Sequence, residues 1–426
     1  MYVTKVRLKG IRCFEDAKIE FDLSGDAPPF TLIVGDNATG KTTLMRALAM
    51  GLCDASSAAG LMREADSGYI RKGTGKGTWR AEIAIDLKAK NGKTTHRITT
   101  TIEKGPSGIG EQLKQKASKN FVWNDLFVCG YGAGRGTSGT GDIAGYSVIN
   151  AVYNLFNYSE GLQNPELTIL RINRNLQKEV RQLLKEVLQA TDVRTDGKGI
   201  SVDGPWGKNM PLRDLADGYK STFLWVTDFL GWAVSRDPGI TDLRKIEGIV
   251  LLDEIDQHLH PKWQEEIVNR LRTSFSNIQF IATTHSPLVA KSIGLVEKKN
   301  DRDNLIHLEL LAGNKVEARG ISTLRGWRAD QVLASQAFDY VISSDRDIEK
   351  LLLAASKLSG KGNKRTATET KRYRELKAQI ANVLISEGET PIEREIEGEL
   401  DRALAERIKE LKRELLGLGR DKDKTR

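Results

Sequence analysis

The chain has 426 residues, of which 39% are hydrophobic and 29% charged, and its formal net charge is +8 at pH 7. No apolar stretch approaches the ~18 residues that a membrane-spanning helix needs, and three scattered cysteines fit a reducing compartment without a disulfide or zinc framework. We therefore predict a cytoplasmic protein of two or three domains with no membrane partner, whose positive charge allows contact with DNA.

The amino-terminal part predicts strands around a glycine-rich loop. Residues 1–8 alternate in polarity, which is typical of an edge strand, and Phe30–Val34 is a short apolar run typical of a buried strand. The loop at 35–42 (GDNATGKT) follows directly, and residues 43–50 have helical spacing. A strand, a glycine loop and a helix in this order form the setting of a phosphate-binding loop.

The residue types in this loop indicate ATP and Mg²⁺ as cofactors. Gly35 and Gly40 let backbone N–H groups turn towards phosphates, and the start of the helix adds positive potential there. Lys41 is predicted to reach the β- and γ-phosphates, and the Thr42 hydroxyl to ligate Mg²⁺. The predicted nucleotide-binding residues of the loop are Gly35, Asn37, Gly40, Lys41, Thr42 and Thr43.

The middle of the chain predicts a hairpin and then a helical lobe. Residues 81–87 and 94–102 form the hairpin candidates, and Asn91-Gly92 between them is a strong turn signal. The helical lobe is predicted at about 140–230, where one helix carries apolar residues at helical spacing. These residues are Leu176, Val180, Leu183, Leu184, Val187 and Leu188. A second helix is predicted at Tyr219–Trp232.

Two further strands are predicted to deliver catalytic side chains. Gly248–Leu252 is apolar throughout and places Asp253 and Glu254 at its carboxyl end, where α/β sheets bind ligands. Asp253 is predicted to hold Mg²⁺, and Glu254 to orient and deprotonate the attacking water. The strand at 278–283 precedes His285, whose imidazole is predicted to hydrogen-bond a γ-phosphate oxygen. The predicted catalytic residues are therefore Lys41, Glu254 and His285.

These motifs stand in the order found in ABC-type ATPases, and roughly residues 1–295 resemble the SMC, RecF and OLD branch of that family. Residues 6–14 (VRLKGIRCF) resemble the first strand of that branch, and 253–261 (DEIDQHLHP) its OLD-like variant. The resemblance implies an α/β fold: an ABC-type P-loop nucleotide-binding domain with a mixed sheet and a helical lobe, followed by a helical C-terminal region. Residues 130–135 (GYGAGR) also resemble the OLD-like variant, which implies that Arg135 lies near the nucleotide.

Residues 215–219 (LADGY) resemble the ABC signature loop, which acts on the nucleotide of the opposite subunit. The resemblance implies that Ala216 and Gly218 bind nucleotide, and that the working unit is a homodimer or higher homo-oligomer. Ala216, Asp217 and Tyr219 stand where the family usually has Ser, Gly and Gln. Because a serine hydroxyl is missing from the contact to the γ-phosphate, slow hydrolysis is expected.

The carboxyl-terminal third predicts a linker followed by helices. We assign residues 1–300 to the ATPase domain, 301–345 to a linker or adaptor segment and 346–426 to a helical region. The linker resembles that of small stand-alone defence ATPases, the PtuA family of the Septu anti-phage system. Two amphipathic helices are predicted, with apolar residues at Tyr373–Val383 and Ile396–Leu415. They either pack on their own domain or form a face for assembly or partner docking, and the sequence leaves both open.

The leading functional hypothesis is an ATPase that senses and regulates a separate nuclease in anti-phage defence, with an HNH-type nuclease favoured as the partner. The alternatives are a RecF-like DNA-repair clamp, a structural scaffold, and an OLD-type ATPase with a degenerate Toprim nuclease. Asp345 and Asp347 mimic the paired carboxylates of a Toprim site, but a capped helix start explains them better. The five histidines lack the spacing of metal ligands, which argues against an HNH site within this chain.

Overall fold

The computed structural model divides the chain into two compact units, Met1–Val341 and Ile342–Arg426. The residues that it describes are 1–21, 30–64, 68–71, 80–89, 94–104, 110–136, 139, 145–196, 199–293, 303–311, 315–321, 324, 327, 329–333, 335, 337–338, 354, 358 and 366–384. Within these ranges no helix is long and apolar enough to cross a membrane.

Three β-sheets are present in the described part of the chain. A five-stranded antiparallel sheet has the order β2-β1-β4-β5-β6, with β1 (Tyr2–Ile11), β2 (Phe14–Glu20), β4 (Arg80–Lys88), β5 (Thr95–Lys104) and β6 (Glu111–Ala117). A six-stranded mixed sheet has the order β14-β13-β3-β12-β11-β7, with β3 (Phe30–Val34), β7 (Val128–Tyr131), β11 (Gly248–Leu252), β12 (Ile278–Thr283), β13 (Asn304–Leu311) and β14 (Lys315–Ile321). A small antiparallel sheet consists of β8 (Asp192–Asp196), β9 (Gly199–Gly204) and β10 (Gly207–Pro211).

The described helices vary from single turns to a helix of 20 residues. In the first unit they are α1 (Lys41–Gly51), α2 (Ala55–Arg63), α3 (Val148–Val152), α4 (Pro165–Arg171), α5 (Arg174–Leu188), α6 (Asp217–Arg236), α7 (Pro261–Gln264), α8 (Ile267–Ser274), α9 (Pro287–Lys291) and α10 (Ala329–Leu333). The second unit contains α11 (Ala367–Leu384).

The six-stranded sheet positions the functional residues. Strands β7, β11, β12, β3 and β13 are parallel neighbours, whereas β14 pairs with β13 in the antiparallel sense. Every residue of β3, β11 and β12 is buried, which explains why their sequences are mostly apolar rather than alternating. The predicted bounds of these three strands are confirmed, and their carboxyl ends meet at one edge of the sheet.

The five-stranded sheet corrects one prediction about the amino terminus. The segment 1–8 was expected at a sheet edge, but β1 pairs with β2 on one side and with β4 on the other. Alternating polarity shows that one face of a strand is buried, and it does not report how many neighbours the strand has. The buried face of β1, with Val6 and Leu8, belongs to the same core cluster as Leu44 and Leu48 of α1. The predicted hairpin is confirmed as β4 and β5.

The helical lobe packs around α5 and α6. All six apolar residues predicted to form one face of α5 are buried, and α6 is buried along most of its length. The lobe also contains β8, β9 and β10, which the sequence analysis did not anticipate. Their inward side chains are few, principally Val193, Ile200 and Val202, so the alternation is too short to stand out from a polar loop.

Several predicted features lie outside the described residues. These are the turn at Asn91-Gly92, parts of the linker segment assigned to 301–345, the residues Asp345 and Asp347, and the amphipathic helix at Ile396–Leu415. The first predicted amphipathic helix coincides with α11, in which Leu376 is buried.

Candidate functional site

The glycine-rich loop connects β3 to α1 and is shaped by two close approaches. Gly35 has φ +150°, and a Cβ atom there would lie 2.5 Å from the carbonyl oxygen of Leu308. Gly40 has φ +92°, and a Cβ there would lie 2.4 Å from Sγ of Cys13. Both positions therefore exclude side chains, because the left-handed backbone and the neighbouring atoms leave no room. The loop consequently presents backbone N–H groups at the start of α1.

Lys41 lies inside this loop rather than in solvent. It is 6% exposed, and its Nζ donates hydrogen bonds to the carbonyl oxygens of Gly35 at 2.6 Å and Asp36 at 2.9 Å. Burial lowers the pKa of Lys41, whereas the carboxylates of Asp253 and Asp36 act to raise it. The ammonium group is thus already desolvated and directed at the position where phosphate oxygens can replace the two carbonyls.

Asp253 is hydrogen-bonded to residues of α1, β12 and β7. Its Oδ2 accepts a hydrogen bond from the Thr42 hydroxyl at 2.7 Å, and its Oδ1 accepts one from the Thr283 hydroxyl at 2.6 Å. Its backbone N–H donates to the carbonyl oxygen of Tyr131 at 2.8 Å. The carboxylate that follows β11 and the hydroxyl of α1 are therefore close enough to ligate one Mg²⁺ ion together.

Glu254 is fixed through its backbone while its carboxylate makes no hydrogen bond to another described residue. Its φ of +51° is left-handed, which is uncommon for a residue with a side chain. Its N–H donates to the Thr283 hydroxyl at 2.8 Å, and its carbonyl oxygen accepts from the N–H of Gln257 at 3.0 Å. The arrangement leaves the carboxylate available to accept a proton from water.

His285 follows β12 at the same edge of the sheet. Its side chain is exposed, and its backbone N–H donates to the carboxylate of Asp256 at 3.3 Å. The hydroxyl of Thr284 donates to the same carboxylate. Asp256 therefore anchors the turn that carries the histidine, a function that the sequence analysis did not assign to it.

A pocket of about 320 Å³ lies over the loop and gathers most of the predicted residues. It is lined by Arg12, Cys13, Asn37, Ala38, Gly40, Lys41, Thr42, Thr43, Asp253, Glu254 and His285. Loop N–H groups, a buried ammonium, a hydroxyl and a carboxylate are the donor set that suits a nucleotide polyphosphate with Mg²⁺. Arg12 and Cys13 were not anticipated, since they come from the turn between β1 and β2.

Arg135 lies behind the catalytic turn and does not line the pocket. It is 2% exposed. Its Nη1 donates to the carbonyl oxygen of Asp253 at 2.6 Å, and its Nη2 donates to that of Glu254 at 2.7 Å. The sequence analysis placed this arginine near the nucleotide, whereas the structure joins its guanidinium to the backbone of the carboxylates instead.

The segment that resembles a signature loop begins α6. Ala216 is the N-cap residue of this helix and provides no side-chain oxygen. A Cβ at Gly218 would lie 2.3 Å from the carbonyl oxygen of His258, so the first turn of α6 packs directly on the loop after Glu254. Neither Ala216 nor Gly218 lines the pocket of its own chain. Their predicted contact with a nucleotide therefore remains a prediction.

A buried carboxylate connects α6 to the strand beside Asp253. Asp228 is 3% exposed, and it accepts hydrogen bonds from the Tyr131 hydroxyl at 2.8 Å and the Gln163 N–H at 2.9 Å. Burial raises the pKa of Asp228 to about 6, although the hydrogen bonds from Gln163 and Tyr131 act to lower it. Charging this group in the folded protein is therefore unfavourable.

This raised pKa predicts a pH-dependent stability. Between the ordinary pKa of 3.8 and the folded value of about 6, the folded state keeps the proton that the unfolded state loses, so stability falls as pH rises. The contribution is roughly 3 kcal/mol, since each pKa unit corresponds to about 1.4 kcal/mol. We expect the free energy of unfolding of the wild type, minus that of Asp228→Asn, to be larger near about pH 4.5 than near about pH 7.5 in urea titrations. An equal difference at both pH values would contradict this assignment.

Comparison with known proteins supports the same interpretation. A family model described as "AAA domain" matches residues 5–192, and another described as "AAA domain, putative AbiEii toxin, Type IV TA system" matches residues 157–291. Together they extend across the phosphate loop, the catalytic pair and His285. These matches show that residues 5–291 are similar to AAA domains.

Two curated proteins are similar to parts of this chain. "Septu protein PtuA" of Bacillus mycoides (strain KBAB4) is 27% identical over 344 residues, which are 79% of this chain and 45% of that protein. "Retron Vc95 probable ATPase" of Vibrio cholerae serotype O1 biovar El Tor is 35% identical over 125 residues, or 29% of this chain and 24% of that protein. The chain therefore spans less than half the length of these relatives. Among solved structures, the SMC head domain from Thermotoga maritima aligns with a TM-score of 0.46 and 15% identity, over 76% of this chain and 100% of that domain.

Proposed function

We propose that this chain binds ATP with Mg²⁺ in the pocket over the phosphate loop, hydrolyses it slowly, and acts as the ATPase of an anti-phage defence system. One observation carries the nucleotide assignment. The Thr42 hydroxyl and the Asp253 carboxylate are 211 residues apart in sequence and 2.7 Å apart in space, beside the buried Lys41. A hydroxyl and a carboxylate held together next to a lysine match the needs of Mg²⁺-bound phosphates.

The residues of the pocket have different roles in the proposed hydrolysis of ATP. Bound Mg²⁺ would neutralise charge on the β- and γ-phosphates, and Thr42 and Asp253 would hold it. Lys41 exchanges its two carbonyl acceptors for phosphate oxygens. Glu254, whose backbone is fixed and whose carboxylate is free of hydrogen bonds to other described residues, orients water and accepts its proton. His285 contacts the γ-phosphate from the neighbouring strand end.

Slow turnover and a dimeric working unit belong to the same proposal. The segment that begins α6 has Ala216 in place of a hydroxyl side chain, so it provides only backbone N–H groups to a phosphate. Because Ala216 and Gly218 lie outside the pocket of their own chain, we propose that they act on the nucleotide of a second copy. ATP then serves to hold two subunits together as well as to release energy.

The defence assignment rests on the names of the two relatives, a Septu protein and a retron ATPase. We propose that the ATPase regulates a separate nuclease subunit, with the HNH type favoured. Affinity purification of the tagged chain, expressed from its native operon, tests this directly. We expect a nuclease to copurify and the isolated chain to show no Mg²⁺- or Mn²⁺-dependent cleavage of DNA.

The controls of that experiment separate the alternatives. Robust nicking of DNA by the isolated chain, lost in Asp345→Ala, would instead support the hypothesis of an OLD-type ATPase with a Toprim nuclease. Tight ATP-dependent binding of DNA without any nuclease partner would support a RecF-like clamp. Either result would overturn the regulatory assignment while leaving the nucleotide site in place.

A further inference from the structure

The catalytic turn at Asp253 and Glu254 is held from behind by one buried arginine. We propose that Arg135 is a positioning residue that fixes the backbone of this turn and thereby sets the direction of the Glu254 carboxylate. This inference rests on the proposed hydrolysis of ATP. It assigns to Arg135 a function through Glu254 rather than a contact with the nucleotide.

Two of the three hydrogen bonds that Arg135 donates to described residues go to this turn. Nη1 donates to the carbonyl oxygens of Asp253 at 2.6 Å and Gly132 at 3.0 Å, and Nη2 donates to that of Glu254 at 2.7 Å. A planar guanidinium presents its N–H groups in a rigid fork, so two successive carbonyl oxygens are held in a fixed relation to each other. Because both carbonyls belong to the catalytic pair, a change in the fork changes the geometry of the pair.

The turn needs this restraint because its backbone is not in a relaxed conformation. Glu254 has φ +51°, and a side-chain-bearing residue adopts the left-handed region only when its surroundings hold it there. Thr283 holds the N–H of Glu254, and Arg135 and the N–H of Gln257 hold its carbonyl oxygen. The direction of the Glu254 side chain therefore follows from contacts made to its backbone.

The segment that carries Arg135 also has contacts outside the turn. Arg135 follows Gly132 and Gly134, which pack against Tyr158: a Cβ at Gly132 would lie 2.4 Å from Cε1 of Tyr158, and one at Gly134 would lie 2.6 Å from its Cβ. The N–H of Gly132 donates to Oδ1 of Asn154 at 2.9 Å. Because these contacts hold the backbone before Arg135 in place, its guanidinium can restrain the turn.

The charge of Arg135 also suits its place. Burial lowers the pKa of Arg135 to about 10, while the carboxylates of Asp253, Asp256 and Glu254 act to raise it. A guanidinium does not lose its proton in a protein, so the fork keeps its positive charge beside these carboxylates. A neutral replacement of similar size loses both the charge and the fork, and a lysine keeps the charge alone.

We test the inference in the full chain with Arg135→Met and Arg135→Lys. We expect Arg135→Met to lower kcat by about 100-fold, since a small misplacement of a catalytic group has an effect of that size. The KM and the calorimetric Kd for ATP should stay within about threefold of wild type, because the pocket lining is untouched. Arg135→Lys should recover about tenfold of the lost kcat. Arg270→Met is the matched control: Arg270 also donates to a backbone carbonyl, that of Glu186 at 2.8 Å, but it lies on α8 and donates no hydrogen bond to Asp253 or Glu254. Its kcat should equal that of wild type.

The outcomes separate the inference from the proposed function. If wild-type protein shows no ATP turnover above the rate measured without protein, the proposed hydrolysis fails and the inference fails with it. If wild type turns over ATP and Arg135→Met keeps a kcat within about threefold of it, the inference alone fails. Loss of ATP affinity and melting temperature together in both Arg135 variants would show a purely structural role and would also overturn it.

Discussion

Replacing Lys41 with alanine is expected to abolish measurable ATP binding. The Nζ group of Lys41 is buried in the loop and makes two short hydrogen bonds to carbonyl oxygens, at 2.6 and 2.9 Å, which phosphate oxygens would replace. Each hydrogen bond from a charged donor contributes about 1.5–3 kcal/mol, so we expect affinity to fall by about 100-fold or more. Isothermal titration calorimetry with ATP and Mg²⁺ measures this loss.

A matched control shows whether the effect is local. Lys315→Ala also removes a lysine, but one whose ion pair with Glu15 is on the surface, and its ATP affinity should match that of wild type. Thermal melts of both variants without nucleotide exclude unfolding as the cause. Retention by Lys41→Ala of an affinity within about threefold of wild type would count against the phosphate-loop assignment.

Replacing Glu254 with glutamine is expected to separate binding from turnover. The Thr42 hydroxyl and the Asp253 carboxylate keep their contact in this variant, so ATP and Mg²⁺ should bind as in wild type. The amide of glutamine cannot accept the proton of water, and loss of a general base lowers rates by about 10²–10⁴-fold. We expect steady-state phosphate release to fall by about that factor, and a dimer with trapped ATP to accumulate on size-exclusion chromatography.

Glu265→Gln provides the comparison for that variant. Glu265 pairs with Lys291 away from the catalytic turn, so its turnover should be unchanged. Unaltered hydrolysis by Glu254→Gln would mean that another group accepts the proton. His285, which lines the same pocket, would then be the first candidate.

The sequence predicted the strands that deliver the site because their burial leaves a clear pattern. Strands β3, β11 and β12 are buried along their whole length, and a short run of mostly apolar residues indicates such a strand. The phosphate loop could also be predicted, because neighbouring atoms lie so close to Gly35 and Gly40 that neither position can carry a side chain. Local constraints of this kind determine which residue types can occupy these positions, so they can be predicted from the sequence.

Other features depend on contacts that leave no local pattern. Thr283 bridges the Asp253 carboxylate and the Glu254 N–H, yet a threonine at the end of a strand is common. The two carbonyl contacts of Arg135 involve backbone atoms 118 and 119 residues away, and backbone acceptors carry no sequence signature. The number of neighbours of β1 was also invisible, because alternation reports one buried face and nothing about pairing.

The proposed nucleotide site requires that Thr42 and Asp253 together hold Mg²⁺ against ATP bound at Lys41. The direct measurement is a calorimetric titration of the wild-type chain and of Thr42→Val with a non-hydrolysable ATP analogue, in Mg²⁺ and in EDTA. We expect Mg²⁺ to raise the affinity of wild type for the analogue by about tenfold or more. Thr42→Val keeps the shape of the side chain without its hydroxyl and should lose most of this gain. Equal affinities of wild type in Mg²⁺ and EDTA, or an undiminished gain in Thr42→Val, would contradict this proposal.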